Sequence, residues 1–264
     1  MSLQLDARRL AMLEEMGLKI WQPPEAVQAA PQTRAAPEKI ADQVRPIRES
    51  APFVPQMPAQ PVARAPAVQG DRPAGIEAMG WEALTEAVAG CRACGLCQGR
   101  RNTVFGVGDQ QADWLIVGEA PGENEDLQGE PFVGQAGKLL DNMLRALALD
   151  RHNKVYITNV LKCRPPGNRN PEPQEVAQCE PFLRRQVELL QPKIILALGR
   201  FAVQSLLQTT EPIGKLRGRV HQYNGVPVVV SYHPAYLLRN LPDKARAWAD
   251  LCLAQSVLDK MTPQ

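Results

Sequence analysis

Short apolar runs alternate with amphipathic stretches along most of the chain after residue 75. The first run, Trp114–Val117, is bounded by turn residues and is typical of a strand buried on both faces. Segments whose apolar residues recur every three or four positions predict helices between the runs. The predicted order of strands, helices, hairpin and last helix is Trp114–Val117, Gly137–Leu149, Val155–Asn159, Glu172–Leu190, Lys193–Leu198, Phe201–Leu207, Val220–Tyr223, Val226–Ser231 and Pro242–Lys260. Four apolar strands alternating with helices predict an α/β fold, in which a mainly parallel sheet is covered on both faces.

The N-terminal part of the chain follows a different pattern. Residues 1–21 contain a short segment with the approximate apolar spacing of an amphipathic helix. Residues 22–74 are rich in Pro, Ala, Gln and Arg with almost no aromatic residues, which predicts a flexible, disordered linker. The tethered helix is either a partner-binding motif or a tail without a role, and residues 75–264 form the predicted compact domain.

A glycine-rich acidic segment begins where the first apolar strand ends. Residues 119–126 contain four carboxylates, with Gly118 before them and Gly122 and Gly129 within or after them. Loops at the carboxyl ends of parallel strands are where open α/β sheets bind ligands, so we expect a site here. The acidic charge and the absence of a following Gly-Lys-Ser/Thr exclude a phosphate-binding loop.

Two further strand ends carry candidate site residues. Asn159 ends the second predicted strand, and His233 follows the hairpin closely. The segment after His233 ends in two apolar residues and a cation, Leu237, Leu238 and Arg239. Apolar side chains of this kind can wedge into a base stack, which makes DNA a candidate ligand. We expect Glu119, Asn159 and His233 to lie on one rim of the sheet.

The cysteines form another constellation. Cys91 and Cys94 are separated by two residues, Cys97 follows with the same spacing, and Cys163 and Cys179 are separated by 15 residues. Four thiolates suit either a tetrahedral zinc ion or an iron–sulfur cluster, and the spacing leaves both open. Buried apolar thiols are a weaker alternative, because five of these cysteines are flanked by Arg, Gly and Pro.

Composition limits the classes of function and location that remain. The net charge is +2, so DNA binding must rest on local clusters of basic residues rather than on overall charge. No apolar run approaches the ~18 residues of a membrane span, and the N-terminus lacks the apolar centre of a signal peptide. We expect a cytoplasmic protein with reduced thiols and no membrane association.

Four motifs together resemble those of the family 4 uracil-DNA glycosylases. They are Gly-Glu-Ala-Pro-Gly-x-x-Glu-Asp at 118–126, Pro-Phe-Val-Gly at 131–134, Thr-Asn-Val-Leu-Lys-Cys-Arg-Pro-Pro at 158–166 and His-Pro-Ala-Tyr-Leu-Leu-Arg at 233–239. The resemblance covers about residues 80 to 258. It implies a three-layer α/β/α fold with a central four-stranded, mainly parallel sheet, a structural 4Fe-4S cluster, and removal of uracil from DNA. We expect such a protein to act on uracil-containing DNA as a monomer.

The resemblance also implies which residues bind the cluster and the base. The cluster ligands would be Cys91, Cys94, Cys163 and Cys179. A glycosylase must swing its base into a pocket and read the exposed Watson–Crick edge. Phe132 corresponds to the aromatic residue that stacks on uracil, Asn159 to the residue that reads its edge, and Glu125 to a wall against the 5-methyl group of thymine.

Cleavage of the glycosidic bond leaves negative charge on uracil and positive charge on the sugar. His233 and the backbone N–H groups around Ala120 are expected to donate to the base oxygen and so lower the barrier. Glu119 is the first choice for the carboxylate that favours the cationic sugar or orients water. Leu237, Leu238 and Arg239 are expected to contact DNA.

Two other functions fit parts of the same pattern. A non-catalytic iron–sulfur DNA-binding module, such as a replication accessory, would keep the cysteines and basic clusters but would not need Phe132, Asn159 and His233 around a pocket. A glycosylase of the same superfamily with broader base choice would differ mainly in the loop after Gly118.

Overall fold

Residues 72–261, together with Glu15, are the part of the chain that the computed structural model describes. The predicted N-terminal helix, apart from Glu15, and nearly all of the predicted linker lie outside the described residues. The described residues 72–261 belong to one unit of the fold.

Six strands and eight α-helices are present in the described residues. The strands are β1 (Val107–Gly108), β2 (Trp114–Gly118), β3 (Val155–Asn159), β4 (Ile194–Leu198), β5 (Val220–Tyr223) and β6 (Val226–Ser231). The helices are α1 (Trp81–Gly90), α2 (Glu123–Gln128), α3 (Gln135–Ala146), α4 (Pro173–Leu190), α5 (Arg200–Leu207), α6 (Ile213–Leu216), α7 (Pro234–Leu237) and α8 (Lys244–Met261). None of these helices is long and apolar enough to cross a membrane.

The strands form one sheet in the order β1-β3-β2-β4-β6-β5. The four central strands are parallel, as predicted, and the two edge strands β1 and β5 are antiparallel to their neighbours. The predicted count of four is therefore too low for the described sheet. β1 has two residues and no apolar run of its own, so the hydrophobic pattern does not detect it.

The predicted hairpin is confirmed between β5 and β6. Its turn residues Asn224 and Gly225 have φ angles of 48° and 82°. Two consecutive positive φ angles are what a tight two-residue hairpin needs, and the Asn-Gly pair adopts them most readily.

Helices cover both faces of the sheet, which confirms the predicted three layers. Along β2, Trp114 and Ile116 point to a core cluster that includes residues of α3 and α8, whereas Leu115 and Val117 point to a cluster that includes α4 and α5. Side chains alternate between the faces of a strand, so a strand between two helical layers must be apolar at every position.

The acidic segment after β2 contains a helix that the sequence pattern does not predict. α2 has six residues and is capped at its N-terminus by Gly122, whose N–H donates a hydrogen bond to Glu125. Gly129 caps its C-terminus, with a φ of 79° that suits glycine. A helix of this length has no room for an apolar stripe, so periodicity cannot reveal it.

Candidate active site

A cavity of about 690 Å³ opens at the carboxyl ends of the parallel strands. The register pairs Gly118 with Asn159 and Leu198 with Ser231, so neighbouring strands end level at this edge. Most of the residues singled out from the sequence line the cavity: Glu119, Ala120, Glu125, Phe132, Asn159, His233 and Arg239. The structure thus brings the three strand ends together at one rim.

The two leucines predicted to contact DNA differ in exposure. Leu238 is 42% exposed and available as a wedge. Leu237 is fully buried in the core cluster that includes α3 and α8, so its assignment as a DNA-contacting residue is wrong. The turn of α7 separates adjacent residues by about 100°, which directs one leucine inward and the next outward.

Asn159 lies at the end of β3 with its side chain almost completely buried. Only 2% of the residue is exposed, and its Oδ1 has no hydrogen-bond partner among the described residues. A buried acceptor without a partner costs about 1–3 kcal/mol. A Cβ on Gly118 would lie 2.3 Å from this Oδ1 and 2.6 Å from the ring of Phe132, so glycine is required beside both side chains.

Phe132 occupies a strained position at the cavity. Its φ is 56°, which is unusual for a bulky residue, and its ring stacks with the imidazole of His233 at a centroid distance of 5.4 Å. Arg151 donates to the Phe132 carbonyl at 2.9 Å and is bound to Asp141 at 2.7 Å. A Cβ on Gly137 would lie 1.7 Å from that carbonyl oxygen. Residues distant in sequence therefore hold the ring in place.

Glu125 has a bond pattern that the sequence did not indicate. Its carboxylate accepts hydrogen bonds from the backbone N–H groups of Gly122 at 3.1 Å, Val133 at 2.9 Å and Gly134 at 3.1 Å. It therefore joins the start of α2 to the segment that carries Phe132, in addition to lining the cavity.

His233 lines the cavity as a neutral imidazole. Its Nδ1 accepts a hydrogen bond from the Ala235 N–H at 3.1 Å, at the start of α7. Burial lowers the pKa of His233 to about 4, so the ring carries a single proton near neutral pH. With Nδ1 acting as acceptor, that proton is on Nε2, which makes Nε2 a hydrogen-bond donor.

Glu119 follows β2 directly and lines the same cavity. Burial raises the pKa of its carboxyl to about 7, and the positive charge of Arg200 opposes that rise. A carboxyl with such a pKa exchanges its proton near neutral pH, which suits a group in acid–base chemistry.

The sequence interpretation missed other residues of the cavity lining. Among them are the cationic and aromatic side chains Arg169, Arg200, Tyr232 and Tyr236. Tyr232 directly precedes the motif at 233–239, Tyr236 lies within that motif, and Arg200 is two residues past the end of β4. Proximity to a motif or to a strand end was therefore the signal that the sequence offered for these three residues.

Five cysteines line a second, smaller cavity. They are Cys91, Cys94, Cys97, Cys163 and Cys179. Burial raises the pKa of Cys94 to about 11 and that of Cys179 to about 12. Arg100 donates to Cys163 Sγ at 3.0 Å. Buried thiols become anions only beside a strong positive charge, which a bound metal centre supplies.

The arrangement of the thiols bears on the two metal centres that their spacing left open. Within residues 72–261, no group of three or more Cys, His, Asp or Glu side chains is close enough to surround a single metal ion. A single zinc ion draws its ligands to about 2.3 Å from one point, whereas a multi-iron cluster holds each thiolate on a different iron. The five thiols that line one cavity include the four that a 4Fe-4S cluster takes, so the donor set fits such a cluster.

A buried lysine lies between the two cavities. Lys162 is 1% exposed, and its Nζ donates to Thr158 Oγ1 at 2.6 Å, Asn159 O at 2.8 Å and Gln186 Oε1 at 2.6 Å. Burial lowers the pKa of Lys162 to about 7, and in the protonated form all three of its N–H donors have an acceptor. Lys162 lines the cysteine cavity and at the same time fixes the backbone of Asn159, so it links the two sites.

Comparison with known proteins places the chain in a family. A family model of the uracil DNA glycosylase superfamily matches residues 105–252. The type-4 uracil-DNA glycosylase of Archaeoglobus fulgidus is 46% identical over 163 residues, which cover 59% of this chain and 81% of that protein. The type-4 uracil-DNA glycosylase of Thermotoga maritima is 44% identical over 167 residues, which cover 62% and 86%.

A type-5 uracil-DNA glycosylase is less similar to the chain. The enzyme of this type from Pyrobaculum aerophilum is 36% identical over 149 residues, which cover 49% of this chain and 64% of that protein. The type-4 protein of the same organism is 40% identical over 183 residues and is covered to 93%. The four motifs and both comparisons agree, and the chain belongs to the family 4 uracil-DNA glycosylases.

Proposed function

We propose that the protein is a DNA repair glycosylase that hydrolyses the N-glycosidic bond of deoxyuridine in DNA, releasing uracil and leaving an abasic site. The observation that carries this proposal is the buried Oδ1 of Asn159, an acceptor without a partner in the described residues at a cavity wall. The N3–H of a uracil in the cavity would satisfy it, which offsets the cost of the unpaired atom.

Three side chains divide the recognition of the base. Phe132 covers a face of the ring, and the Asn159 amide pairs with N3–H and O4 on the edge. Glu125 forms the wall beside C5, where thymine carries its methyl group. Its three backbone hydrogen bonds support this role, because a carboxylate bound in this way cannot swing aside for a larger base.

The bond cleavage requires stabilisation of charge on both sides. Nε2–H of His233 and the backbone N–H of Ala120 donate to the uracil oxygen on which negative charge develops. The neutral state of His233 supports this role, because a neutral donor needs no proton from solvent before each turnover. The Glu119 carboxylate stabilises the cationic sugar or orients the attacking water.

The rate of excision should therefore depend on the ionisation of Glu119. Because the pKa of Glu119 is about 7, the active carboxylate form decreases as pH falls below neutrality. We expect the single-turnover rate to fall about tenfold for each pH unit below the pKa and to level off above it. Glu119→Gln should be slow and independent of pH in this range. An unchanged pH profile in Glu119→Gln would assign the ionisation to another group.

The cysteine cavity is proposed to hold a structural 4Fe-4S cluster with Cys91, Cys94, Cys163 and Cys179 as ligands. Bound there, the cluster would supply a cross-link between three segments: the residues after α1, the loop after β3, and α4. Cys97 lines the same cavity and is a further thiol within reach of this group. Thiolate ligands require a reducing compartment, so the cytoplasm is the proposed location.

One assay tests the reaction itself. Purified protein is incubated with an oligonucleotide that contains one uracil, and abasic sites are then cleaved with alkali. The matched oligonucleotide with thymine is the control. Cleavage at uracil alone is the expected result. Binding without cleavage would instead support a non-catalytic DNA-binding module, and cleavage at both bases would indicate broader base choice.

The N-terminal extension is proposed to act separately from catalysis. Residues 1–21 would form a partner-binding helix, 22–74 a flexible linker and 75–264 the glycosylase domain, which would act as a monomer. Removal of residues 1–74 should leave the steady-state excision rate on short oligonucleotides nearly unchanged. A large loss of turnover in the truncated protein would show that the extension contributes to the active site.

A further inference from the structure

Two stacked tyrosines lie at the active-site cavity, and the proposed reaction uses neither of them. The rings of Tyr232 and Tyr236 have centroids 5.1 Å apart and an interplanar angle of 24°. Both residues line the cavity, and Tyr236 is 36% exposed. Large exposed aromatic rings next to a cavity that accepts a nucleobase are candidates for base contacts.

Tyr232 packs against two flat groups. The guanidinium of Arg217 lies 4.4 Å from the centre of its ring. The ring of Tyr236 stacks on the same residue, so Tyr232 connects Arg217 to Tyr236. Arg217 is fixed in turn by a hydrogen bond of 2.7 Å to Asp250, which is 1% exposed. The stack is therefore anchored to a buried carboxylate.

Tyr236 is the outer member of the stack. Its hydroxyl donates to Asp243 Oδ2 at 2.7 Å, and the other oxygen of Asp243 accepts from Arg246 at 3.0 Å. Since Tyr232 covers one face of the ring, its exposed area lies on the opposite face and the edge. The ring is thus held on one face and at its hydroxyl, which lowers the entropy lost when a ligand stacks on it.

We propose that the outer face of Tyr236 is a stacking platform for a DNA base that neighbours the flipped uridine on the same strand. This inference rests on the proposed function, because extrusion of uracil leaves its neighbouring base without a stacking partner. Leu238, two residues further on, is exposed beside this position, and Arg239 in the cavity lining supplies a positive charge for the phosphates. Stacking on an aromatic ring tolerates any base, so the platform imposes no sequence requirement.

The platform also determines which form of DNA gains most from it. A base in a duplex must lose its pairing and stacking before it can move onto a protein ring, whereas a base in a single strand loses much less interaction energy. The contribution of Tyr236 to affinity is therefore larger for single-stranded than for double-stranded uracil-containing DNA.

The test compares full-length wild type with Tyr236→Ala and Tyr236→Phe. The probe is a single-stranded oligonucleotide with a non-cleavable 2′-fluorinated deoxyuridine and the fluorescent base 2-aminopurine beside it, on either the 5′ or the 3′ side. We expect wild type and Tyr236→Phe to quench the 2-aminopurine on one of the two sides. Tyr236→Ala should lose this quenching and bind roughly tenfold more weakly, with a smaller loss on the duplex.

The Phe variant is the matched control, because it keeps the ring face and loses only the bond to Asp243. Wild-type quenching and affinity in Tyr236→Ala would overturn the platform. Uracil release by wild type is measured on the cleavable oligonucleotide in parallel. Quenching without uracil release would refute the proposed reaction and leave the platform standing. Uracil release by wild type, together with wild-type activity and quenching in Tyr236→Ala, would refute the platform and leave the proposed reaction standing.

Discussion

Replacement of Asn159 by aspartate is expected to abolish most uracil excision. The variant exchanges the amide N–H group for a second carboxylate oxygen, and this anion would face uracil O4. It would repel the negative charge that develops on the leaving base, at a position that is 2% exposed and therefore poorly screened by water. Removal of one donor to a developing anion costs about 10²–10³ in rate, so a loss of at least this size is expected.

The same substitution tests how uracil is told from cytosine. Uracil presents an acceptor at O4 beside a donor at N3, and cytosine reverses both. A fixed amide that satisfies uracil leaves groups unpaired with cytosine, at a cost of about 1–3 kcal/mol for each buried group. Any activity that remains in Asn159→Asp should therefore shift toward cytosine in mismatched or single-stranded DNA.

Single-turnover excision on matched oligonucleotides with uracil or cytosine measures both effects. Asn153→Asp is a suitable control, because it makes the same chemical change at an exposed residue just before the other end of β3. Excision of uracil by Asn159→Asp at close to the wild-type rate would mean that Asn159 does not read the base edge.

Replacement of Cys163 by serine is expected to remove the metal centre and to destabilise the domain. Cys163 is 6% exposed and lies in the loop that follows β3, four residues after Asn159, the last residue of that strand. The cluster would join this loop to Cys91 after α1 and to Cys179 in α4. Loss of one ligand would break this cross-link, and the free energy of metal binding would no longer contribute to folding.

Visible absorbance, iron and sulfide content, and thermal unfolding measure the consequences. Wild type purified in air should be brown, and Cys163→Ser should be colourless. The midpoint of thermal unfolding of the variant should be lower by about 2–4 °C for each kcal/mol of stability that is lost. Cys252→Ser is the control, since Cys252 is exposed on α8 and is not part of the cavity lining. A colourless wild type that contains one zinc ion would refute the cluster.

The sequence alone was sufficient for the order of the longer helices and of the apolar strands, and for the location of the site. Periodicity depends only on neighbouring residues, so the apolar runs and the Asn224-Gly225 turn could be interpreted locally. Parallel strands place their carboxyl ends on the same edge, so Glu119, Asn159 and His233 could be assigned to one rim before any distance was known. The cysteines and the four motifs indicated the family, because short continuous segments can be interpreted without knowledge of the fold.

Tertiary structure decided which of these side chains are buried, bound or exposed. Leu237 and Leu238 are equivalent in sequence, and only the packing of α7 against the core buries one and exposes the other. Edge strand β1 exists because it pairs with β3, not because of its own two residues.

Tertiary structure also decided the hydrogen bonds of the residues around the active-site cavity. The unpaired Oδ1 of Asn159, the three backbone partners of Glu125 and the position of Lys162 between two cavities all join segments far apart along the chain. Burial and hydrogen bonding depend on every group that surrounds an atom, and those neighbours come from strands and helices that only the folded chain brings together.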